Sequence, residues 1–313
     1  MENKDIKVVY MGTPEFAVNA LRRIHEEGYD IIGCFTQPDK QKGRSSKLIA
    51  PPVKVCAEEF GIPVFQPEKI REEEYVEKLR SLNPDVIVVA AFGQILPESI
   101  LNIPKYGCIN IHASLLPKYR GAAPIEWAVI DGEKETGVTT MYMEKGLDTG
   151  DMIEKAVTEI GADETAEELR SRLADMGAEL IISTLKNVIS GNCSREKQDD
   201  SKSNYAVMLK KEMGKVDWND PADKIERLIR GLQPWPVVYA TLNDKNLKIY
   251  AASVEGDRDG EPGEIVEVTK KNFVVKCGSG SLRIKSVQPE GKKRMDSVAF
   301  LNGNKIEPGM KLV

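Results

Sequence analysis

Hydrophobic positions in the first 190 residues fall into short apolar runs separated by stripes at helical spacing. A run of four to eight apolar residues is typical of a buried strand, whereas apolar residues three and four apart are typical of an amphipathic helix. The runs that predict strands are Ile6–Met11, Tyr29–Thr36, Val86–Phe92, Cys108–Ala113 and Val138–Met143. Apolar strands alternating with helices predict an α/β fold, with a doubly wound, mostly parallel sheet covered on both faces.

Three stretches carry the helical spacing between these runs. One lies between Phe16 and Ile24, just after Pro14, and a second covers Glu72–Leu82. A long helix is predicted to begin at Thr165, because a threonine followed three residues later by Glu168 fits a capping box.

The pattern changes after residue 190. Residues 191–206 are mostly polar or charged and show no apolar period, which predicts a linker. A helix is then expected from Asp220 and Pro221. The runs that predict strands beyond it are Val237–Leu242, Leu247–Val254, Glu264–Val268, Phe273–Cys277 and Leu282–Val287. Short strands separated by Gly- and Asn-rich turns are typical of a small β-barrel. We therefore predict an α/β domain over 1–190, a linker over 191–206 and a barrel domain over 207–313.

The composition narrows the class of protein. A chain of 313 residues has room for two domains, and none of its apolar runs approaches the roughly 20 residues that span a bilayer. The first residues mix charges and lead directly into the first apolar run, without the features of a secretory signal. The five cysteines are widely spaced, odd in number and form no C-x-x-C pair. These features predict a cytoplasmic protein without a disulfide framework or a zinc site.

The charge is unevenly distributed along the chain. The net charge is −5, but residues 205–313 hold 19 Lys and Arg against 15 Asp and Glu, a local charge of +4 that leaves −9 for the rest. A mildly basic C-terminal third on an acidic chain is compatible with contact to a polyanion, although this asymmetry alone is weak evidence.

The chain has two histidines, and only one stands in a setting that suggests chemistry. His25 lies among charged residues of a predicted helix and is expected to face solvent. His112 ends a predicted strand, with Asn110 two residues before it, so the two side chains lie on one face. Ligands bind at the carboxyl ends of strands in open α/β sheets. The pattern alone supports a catalytic pair and a hydrogen-bonded core pair about equally.

A glycine-flanked aspartate provides a third candidate. Asp148 lies between Gly146 and Gly150, just after a predicted strand. It is compatible with orienting His112, and also with an ordinary turn in which the carboxylate bonds its own backbone. Asp151 lies nearby, but no further ligand stands at metal-binding spacing, so no metal site is expected. Gly12 follows the first strand without the other glycines of a dinucleotide motif, which favours a tight turn.

One run of the sequence is far more specific than these patterns. Residues 110–124, Asn-Ile-His-Ala-Ser-Leu-Leu-Pro-Lys-Tyr-Arg-Gly-Ala-Ala-Pro, resemble the signature of the folate-dependent formyltransferases. Further segments resemble the same family, in family order: Gly12–Ala17, Thr36–Asp39 before Gly43 and Arg44, Phe92–Pro97, Gly146–Gly150, Val216–Trp218 and Gly231–Pro236. The resemblance covers essentially the whole chain.

The resemblance implies a fold, a reaction and a site. It implies a formyltransferase-type domain followed by an OB-like barrel that helps to hold tRNA. The implied reaction moves the formyl group of 10-formyltetrahydrofolate to the α-amino group of initiator methionyl-tRNA for translation initiation. The implied catalytic trio is Asn110, His112 and Asp148. The implied folate pocket consists of Phe92, Gly93, Gln94, Ile95, Leu96, Ser114, Leu115, Leu116 and Pro117, and the implied tRNA contacts are Arg44 and Lys47. A cytoplasmic monomer without metal or membrane contact is expected.

These residue types suit an attack by an amine on a formamide. A histidine exchanges protons near neutral pH and can take the proton released on attack. Asparagine is a neutral donor that can meet the oxyanion, and an aspartate can hold the imidazole tautomer. The sequence leaves open whether His112 or Asp148 is the general base. It also leaves open a sugar-amine formyltransferase or formyl-folate hydrolase with the same trio, and a non-catalytic RNA-binding module on the same fold.

Overall fold

The computed structural model describes residues 2–41 and 48–313, which fold as two units. The first unit comprises Met1–Gly121, Glu135–Glu159 and Arg170–Ala206, and the second comprises Ala122–Lys134, Ile160–Leu169 and Val207–Val313. The residues predicted as a linker therefore belong to the first unit up to Ala206. The domain boundaries given above stay a prediction.

The strands and helices are as follows. The strands are β1 (Lys7–Gly12), β2 (Asp30–Phe35), β3 (Lys40–Gln41), β4 (Leu48–Ile49), β5 (Val64–Phe65), β6 (Val86–Ala90), β7 (Cys108–His112), β8 (Arg120–Gly121), β9 (Glu135–Tyr142), β10 (Met152–Glu159), β11 (Tyr205–Ala206), β12 (Val238–Leu242), β13 (Lys245–Glu255), β14 (Ile265–Val268), β15 (Phe273–Lys276), β16 (Ser281–Pro289) and β17 (Met295–Asp296). The α-helices are α1 (Val18–Glu26), α2 (Pro52–Glu59), α3 (Glu73–Leu82), α4 (Glu98–Leu101), α5 (Pro124–Ile130), α6 (Ala166–Ser190), α7 (Ala222–Gly231) and α8 (Ser297–Gly303). Short 3-10 helices cover Asn3–Asp5, Glu15–Ala17, Asp200–Lys202 and Lys211–Gly214.

The described part of the first unit is built on a seven-stranded sheet in the order β10-β9-β7-β6-β1-β2-β5. The five strands from β7 to β5 pair in parallel, whereas β9 runs antiparallel to both β7 and β10. The prediction of a mostly parallel α/β sheet is confirmed. The run predicted over Val138–Met143 forms β9, which is antiparallel, and β10 was not predicted because its outer half alternates with charged residues.

The carboxyl ends of three neighbouring strands meet at one edge of this sheet. Gly12 at the end of β1 pairs with Ala90 at the end of β6, and Val89 of β6 pairs with Asn110 of β7. β6 is buried along its whole length, as expected for a parallel strand covered on both faces. This edge is where an open α/β sheet binds ligands.

Close packing accounts for two glycines near this edge. A Cβ atom on Gly12 would lie 2.8 Å from Cβ of Ala17 and 3.1 Å from the carbonyl oxygen of Ala90, so the tight turn needs glycine. A Cβ atom on Gly177 would lie 2.9 Å from Cγ2 of Ile111, so glycine lets α6 approach β7 closely.

The capping box predicted at Thr165, before the long helix α6, is present in the structure. The Thr165 hydroxyl accepts from the backbone N–H of Glu168, and the Glu168 carboxylate accepts from the backbone N–H of Thr165.

Residues 191–206 are held against the rest of the first unit. Glu196 forms an antiparallel bridge with Met152 at the start of β10. β11 pairs in parallel with β8, so Tyr205 lies opposite Arg120 and Ala206 opposite Gly121. The segment from Gln198 to Ala206, which we call the strap, therefore reaches the loops around the predicted site.

In the described part of the second unit, antiparallel strands pair in the order β12-β13-β16-β15-β14, and β17 pairs with β16. The last residues of the chain lie between the two ends of this order. The N–H of Leu312 donates to the carbonyl of Gly263, and Thr241 and Val313 exchange two backbone hydrogen bonds. The sheet is thereby closed into a barrel, with Leu312 only 1% exposed in its core. The predicted barrel is confirmed.

Burial accounts for most of the cysteines. Cys34, Cys56, Cys108 and Cys277 are buried, Cys193 is half-buried, and all five thiols are free. Burial raises the pKa of Cys34, Cys108 and Cys277 to about 12.

His25 is exposed as predicted, and its ring stacks on Phe60. Within the described residues, no helix has both the length and the apolar content to cross a membrane.

Candidate active site

Two polar side chains lie at the end of β7, on the face turned away from Ile111. Because strand residues alternate, Asn110 and His112 point to the opposite side of the sheet from Ile111, which packs on Gly177 of α6. Asn110 is 9% exposed and His112 is 5% exposed. Two polar groups so close to full burial need partners or a function.

The orientation of the His112 ring is set by a backbone carbonyl. Nε2 of His112 lies 2.9 Å from the carbonyl oxygen of Tyr119, in a buried contact. A carbonyl oxygen can only accept a hydrogen bond, so Nε2 carries the proton. In the neutral ring the lone pair then lies on Nδ1, which makes Nδ1 the basic nitrogen.

The structure brings Asp148 to this nitrogen. Oδ2 of Asp148 lies 3.8 Å from Nδ1 of His112, and the two side chains are 14% and 6% exposed. The same oxygen accepts a hydrogen bond of 2.9 Å from the backbone N–H of Gly121. The carboxylate is therefore fixed opposite the lone pair of His112, at a distance too long for a direct hydrogen bond. This proximity is the link that the sequence could not supply.

The glycines beside Asp148 are required by packing within the loop. A Cβ atom on Gly146 would overlap the side chain of Thr149, and one on Gly150 would overlap the carbonyl of Tyr142. Asp148 itself adopts a left-handed conformation, with φ of 53°. Such a backbone is uncommon for a residue other than glycine and needs support from its surroundings. The aspartate is thus part of a tight loop whose carboxylate points outward to His112 and Gly121.

The Asn110 amide stands apart from these contacts. Among the residues that the structure describes, none donates to or accepts from the Asn110 side chain. Asn110 is 9% exposed at a strand tip, and such tips are where open α/β sheets bind ligands.

The segment Ser114–Pro117 follows directly after β7 and is fixed by a buried threonine. The hydroxyl of Thr139 donates to the carbonyl of Ser114 at 2.7 Å and accepts from the N–H of Leu116 at 3.2 Å. Thr139 pairs with His112 across the sheet, so it fixes the segment relative to that residue. The Leu116 side chain is buried with Met141 and Met152 and fills the core.

The second predicted pocket segment, Phe92–Leu96, follows β6. Phe92 and Leu96 are buried in the core of the first unit, whereas Ile95 is 78% exposed. The carbonyl of Phe92 accepts from the side chains of Thr13 and Gln37, which follow β1 and β2. This segment is thereby tied to the ends of three strands, and Ile95 is its apolar contact surface.

Gln94 and the start of β3 are fixed by further polar contacts. Oε1 of Gln94 accepts from the N–H of Ile70, and its amide donates to the carbonyl of Pro67. Asp39 accepts from the Gln66 amide and from the Lys54 ammonium, and these contacts lower the pKa of Asp39. Asp39 therefore stays ionised near the start of β3.

The predicted tRNA contacts Arg44 and Lys47 lie outside the described residues. The strands on either side of them, β3 and β4, pair antiparallel. Over residues 2–41 and 48–313, no group of three or more His, Cys, Asp or Glu side chains has the arrangement of a metal site.

Sequence reasoning missed the residues that support the trio. Asn204 and Gln198 of the strap bind the backbone of the loops that carry Tyr119 and Asp148, and Arg120 in the signature run donates to Gln198. Arg120 and Gln198 are only 3% and 6% exposed. Neither belongs to an apolar run or helical stripe, so the sequence pattern does not indicate that they are buried. The one available signal was the position of Arg120 within the signature run.

Comparisons with known proteins agree with this fold. The Formyl transferase family matches residues 4–185, and the family of its C-terminal domain matches residues 208–305. A methionyl-tRNA formyltransferase from Geobacter metallireducens is 55% identical over 307 residues, which cover 98% of each chain.

Solved structures at low identity share the fold. WlaRD, a sugar 3N-formyl transferase, has a TM-score of 0.67 at 20% identity, over 92% of this chain and 99% of its own. HypX from Aquifex aeolicus has a TM-score of 0.64 at 16% identity; the match covers 95% of this chain but only 48% of HypX, so the chain spans about half of that protein. The family assignment depends on the family matches and the identity to the Geobacter protein. On that basis, this chain belongs to the methionyl-tRNA formyltransferases, within the formyl transferase family.

Proposed function

We propose that this protein transfers the formyl group of 10-formyltetrahydrofolate to the α-amino group of the methionine carried by initiator tRNA. The observation that carries the proposal is the Asn110 amide at the tip of β7, which contacts no side chain or backbone group by hydrogen bond among the described residues, on the same strand face as His112 of the His112–Asp148 pair. A neutral donor next to a base is the combination that acyl transfer to an amine requires.

The overall step is an exchange of amides. The α-amino nitrogen forms a bond to the formyl carbon, the bond from that carbon to N10 of the folate breaks, and one proton moves from the amine to N10. The products are formylmethionyl-tRNA and tetrahydrofolate. The protein has to move that proton and stabilise the negative charge on the formyl oxygen.

His112 is suited to move the proton through Nδ1. Its Nε2 is already committed to the Tyr119 carbonyl, so the incoming proton goes to the nitrogen that faces Asp148. The carboxylate stabilises the positive charge that the ring then gains. The same Nδ1–H can return the proton to the leaving nitrogen, which makes His112 first a general base and then a general acid.

Asn110 is suited to bind the formyl oxygen. An amide N–H does not titrate, so it can stabilise the oxyanion without competing for the proton that His112 takes. A donor that the protein already holds in place does not have to reorient when negative charge develops on the oxygen. One such donor typically lowers the activation free energy by about 2.7–4 kcal/mol. In this proposal the donor folate lies along the segments Phe92–Leu96 and Ser114–Pro117, with Ile95 as an exposed apolar contact.

Two features support tRNA as the acceptor. The C-terminal third carries a charge of +4 on a chain of −5, which favours contact with phosphates. Arg44 and Lys47 add positive charge on the first unit. We propose that both regions contact the tRNA and that the trio acts on its methionyl end.

A product assay tests the proposal. The purified protein is supplied with 10-formyltetrahydrofolate and either methionyl-initiator tRNA or a nucleotide-linked amino sugar, and the formylated product is identified by mass spectrometry. We expect formylmethionyl-tRNA and no formylated sugar. Formylation of the sugar alone would assign the protein to the sugar-amine transferases, and release of formate alone would indicate a hydrolase.

Arg44→Ala separates tRNA binding from chemistry. Removing one phosphate contact should raise KM for the tRNA, while KM for the folate stays unchanged. The slope of the logarithm of tRNA affinity against the logarithm of salt concentration should become shallower by about one. Arg71→Ala, at an exposed arginine of the first unit, is the matched control for loss of one positive charge. An effect of Arg44→Ala on folate affinity alone would contradict its role.

A further inference from the structure

A buried glutamine of the strap binds the loop that carries Asp148. Nε2 of Gln198 donates to the carbonyl oxygens of Asp148 and Gly150, both at 2.8 Å. Gln198 is 6% exposed, so water has little access to these carbonyls. Both N–H groups of one amide are therefore used on two carbonyls of the same loop.

A buried arginine fixes which end of the Gln198 amide faces the loop. Oε1 of Gln198 accepts from Nε of Arg120 at 2.9 Å, and Nη2 of Arg120 pairs with Asp200 at 2.7 Å. A guanidinium has donors only, so the amide oxygen must face Arg120 and the amide nitrogen must face the carbonyls. Arg120 thereby sets the Gln198 amide in the one orientation that can hold the loop.

The loop needs such a donor because of its conformation. Asp148 is left-handed, and the carbonyls of Asp148 and Gly150 converge on one point. Two converging carbonyl dipoles repel each other unless a donor lies between them. Without the amide, the loop would relax, and the 3.8 Å separation between Asp148 and His112 would no longer be fixed.

The strap also holds the residue that orients His112. Oδ1 of Asn204 accepts from the N–H of Tyr119 at 2.6 Å, and the carbonyl of Tyr119 accepts from Nε2 of His112. Tyr119 is also left-handed, with φ of 60°. The strap therefore contacts the backbone on both sides of the His112–Asp148 pair.

We propose that Gln198, oriented by Arg120, is a positioning residue for formyl transfer, which acts by holding the Asp148 carboxylate opposite Nδ1 of His112. The proposal depends on the function proposed above, because it assigns Gln198 a part in that reaction. It makes the strap an element of the active site.

The first test is Gln198→Met, which keeps the length of the side chain and removes both donors. We expect kcat at saturating substrates to fall by about tenfold to a hundredfold, because a displacement of about 1 Å at a reacting pair has effects of this size. KM for folate and for tRNA should stay within about twofold, because Gln198 is proposed to affect the chemical step rather than binding. A kcat within about twofold of wild type in the folded variant would overturn the proposal.

Gln233→Met is the matched control. Gln233 is also buried, at 4% exposed, and its Nε2 also donates to two backbone carbonyls, those of Ile229 and Tyr250 in the second unit. The Gln233→Met variant loses two hydrogen bonds of the same kind, but in the second unit and not in the unit that holds the trio. We expect a similar fall in melting temperature and an unchanged kcat. An equal loss of kcat in this control would show that the effect of Gln198→Met is general destabilisation, and would overturn the positioning role.

A double-mutant cycle with Asp148→Asn distinguishes positioning from any other effect on rate. If Gln198 acts through the Asp148 carboxylate, Gln198→Met should lower kcat in the wild-type background and have little further effect when Asp148 is asparagine. A full, multiplicative loss in both backgrounds would overturn the proposal.

Gln198→Glu keeps the test decisive if the methionine variant does not fold. The glutamate retains the acceptor for Arg120 but turns a carboxylate oxygen toward two carbonyls, so kcat should fall at least as far as in Gln198→Met. Wild-type kcat in Gln198→Glu would overturn the proposal. Failure of the proposed function itself would look different, since the wild-type protein would not form formylmethionyl-tRNA at all.

Discussion

Asp148→Asn offers a direct measure of how much the carboxylate contributes to the reaction. Asparagine has the same shape, and its carbonyl oxygen can still accept from the N–H of Gly121 that now binds Oδ2. The substitution therefore removes the negative charge opposite His112 while leaving the loop its main anchor. A change in rate then reports on charge rather than on position.

The size of the effect follows from the distance between the two groups. At 3.8 Å, a full positive charge on the ring and the carboxylate attract each other by about 4 kcal/mol at an effective dielectric constant near 20, and by about 1 kcal/mol in water. The side chains are only 6% and 14% exposed, so the true value lies nearer the first figure. If about half of the charge has developed in the transition state, the loss is about 2 kcal/mol, or roughly a thirtyfold lower rate.

The assay is a single-turnover experiment with enzyme in excess over methionyl-tRNA and saturating 10-formyltetrahydrofolate. Rapid quenching at fixed times and separation of formylated from unformylated methionine give the rate of the chemical step. This design avoids product release, which limits kcat in many enzymes. The melting temperature of the variant is measured in parallel.

Asp151→Asn is the matched control, because it removes the same charge three residues along the chain. It should leave the single-turnover rate unchanged. A rate for Asp148→Asn within about threefold of wild type, in a protein of unchanged melting temperature, would refute the role of the carboxylate charge.

Three further predictions follow from the same contacts. Asn110→Ala should lower the single-turnover rate by about a hundredfold or more without lowering the melting temperature, since the amide makes no hydrogen bond to the described residues; a rate near wild type in the folded variant would contradict the oxyanion role. Leu312→Ala should reduce the free energy of unfolding by about 2–5 kcal/mol in urea titration, because the residue is 1% exposed where the chain end closes the barrel; a loss below about 1 kcal/mol would contradict that closure. Cys193 should be the one thiol that a maleimide labels quickly at pH 7, because the other four are buried and burial raises the pKa of each; mass spectrometry should find one adduct in the native protein and five in denaturant, and several fast native adducts would contradict it.

The sheet was predictable where its strands are buried on both faces. β1, β6 and β7 are buried along almost their whole length, and their apolar residues stand in short runs that predict strands. β10 is different, because its burial alternates after Ile153 and its residues include Lys155 and an exposed Val157. A strand at the edge of a sheet has only part of its surface covered, so its apolar signal is weak. β9 was predicted as a strand, but its antiparallel direction depends on the path of the chain and not on its own residues.

The candidate site was predictable only in part, and the reason is again physical. Asn110 and His112 could be placed on one face of the sheet, because they are two residues apart and side chains alternate along a strand. The proximity of Asp148 depends on how the chain returns after β9, which no local pattern specifies. The contacts of the strap could not be predicted, because its residues bind backbone carbonyls and N–H groups rather than an apolar core. A polar segment that binds backbone looks, in sequence, like a polar segment that binds water.

The backbone contacts also bear on the question of which residue is the base. Because the Tyr119 carbonyl holds the proton of His112 on Nε2, Nδ1 and the Asp148 carboxylate face each other as two acceptors across 3.8 Å. A proton taken up by the imidazole is stabilised by the nearby carboxylate. In the proposed function the two residues would act together as the base, so either Asp148→Asn or displacement of the loop that Gln198 holds should slow the reaction.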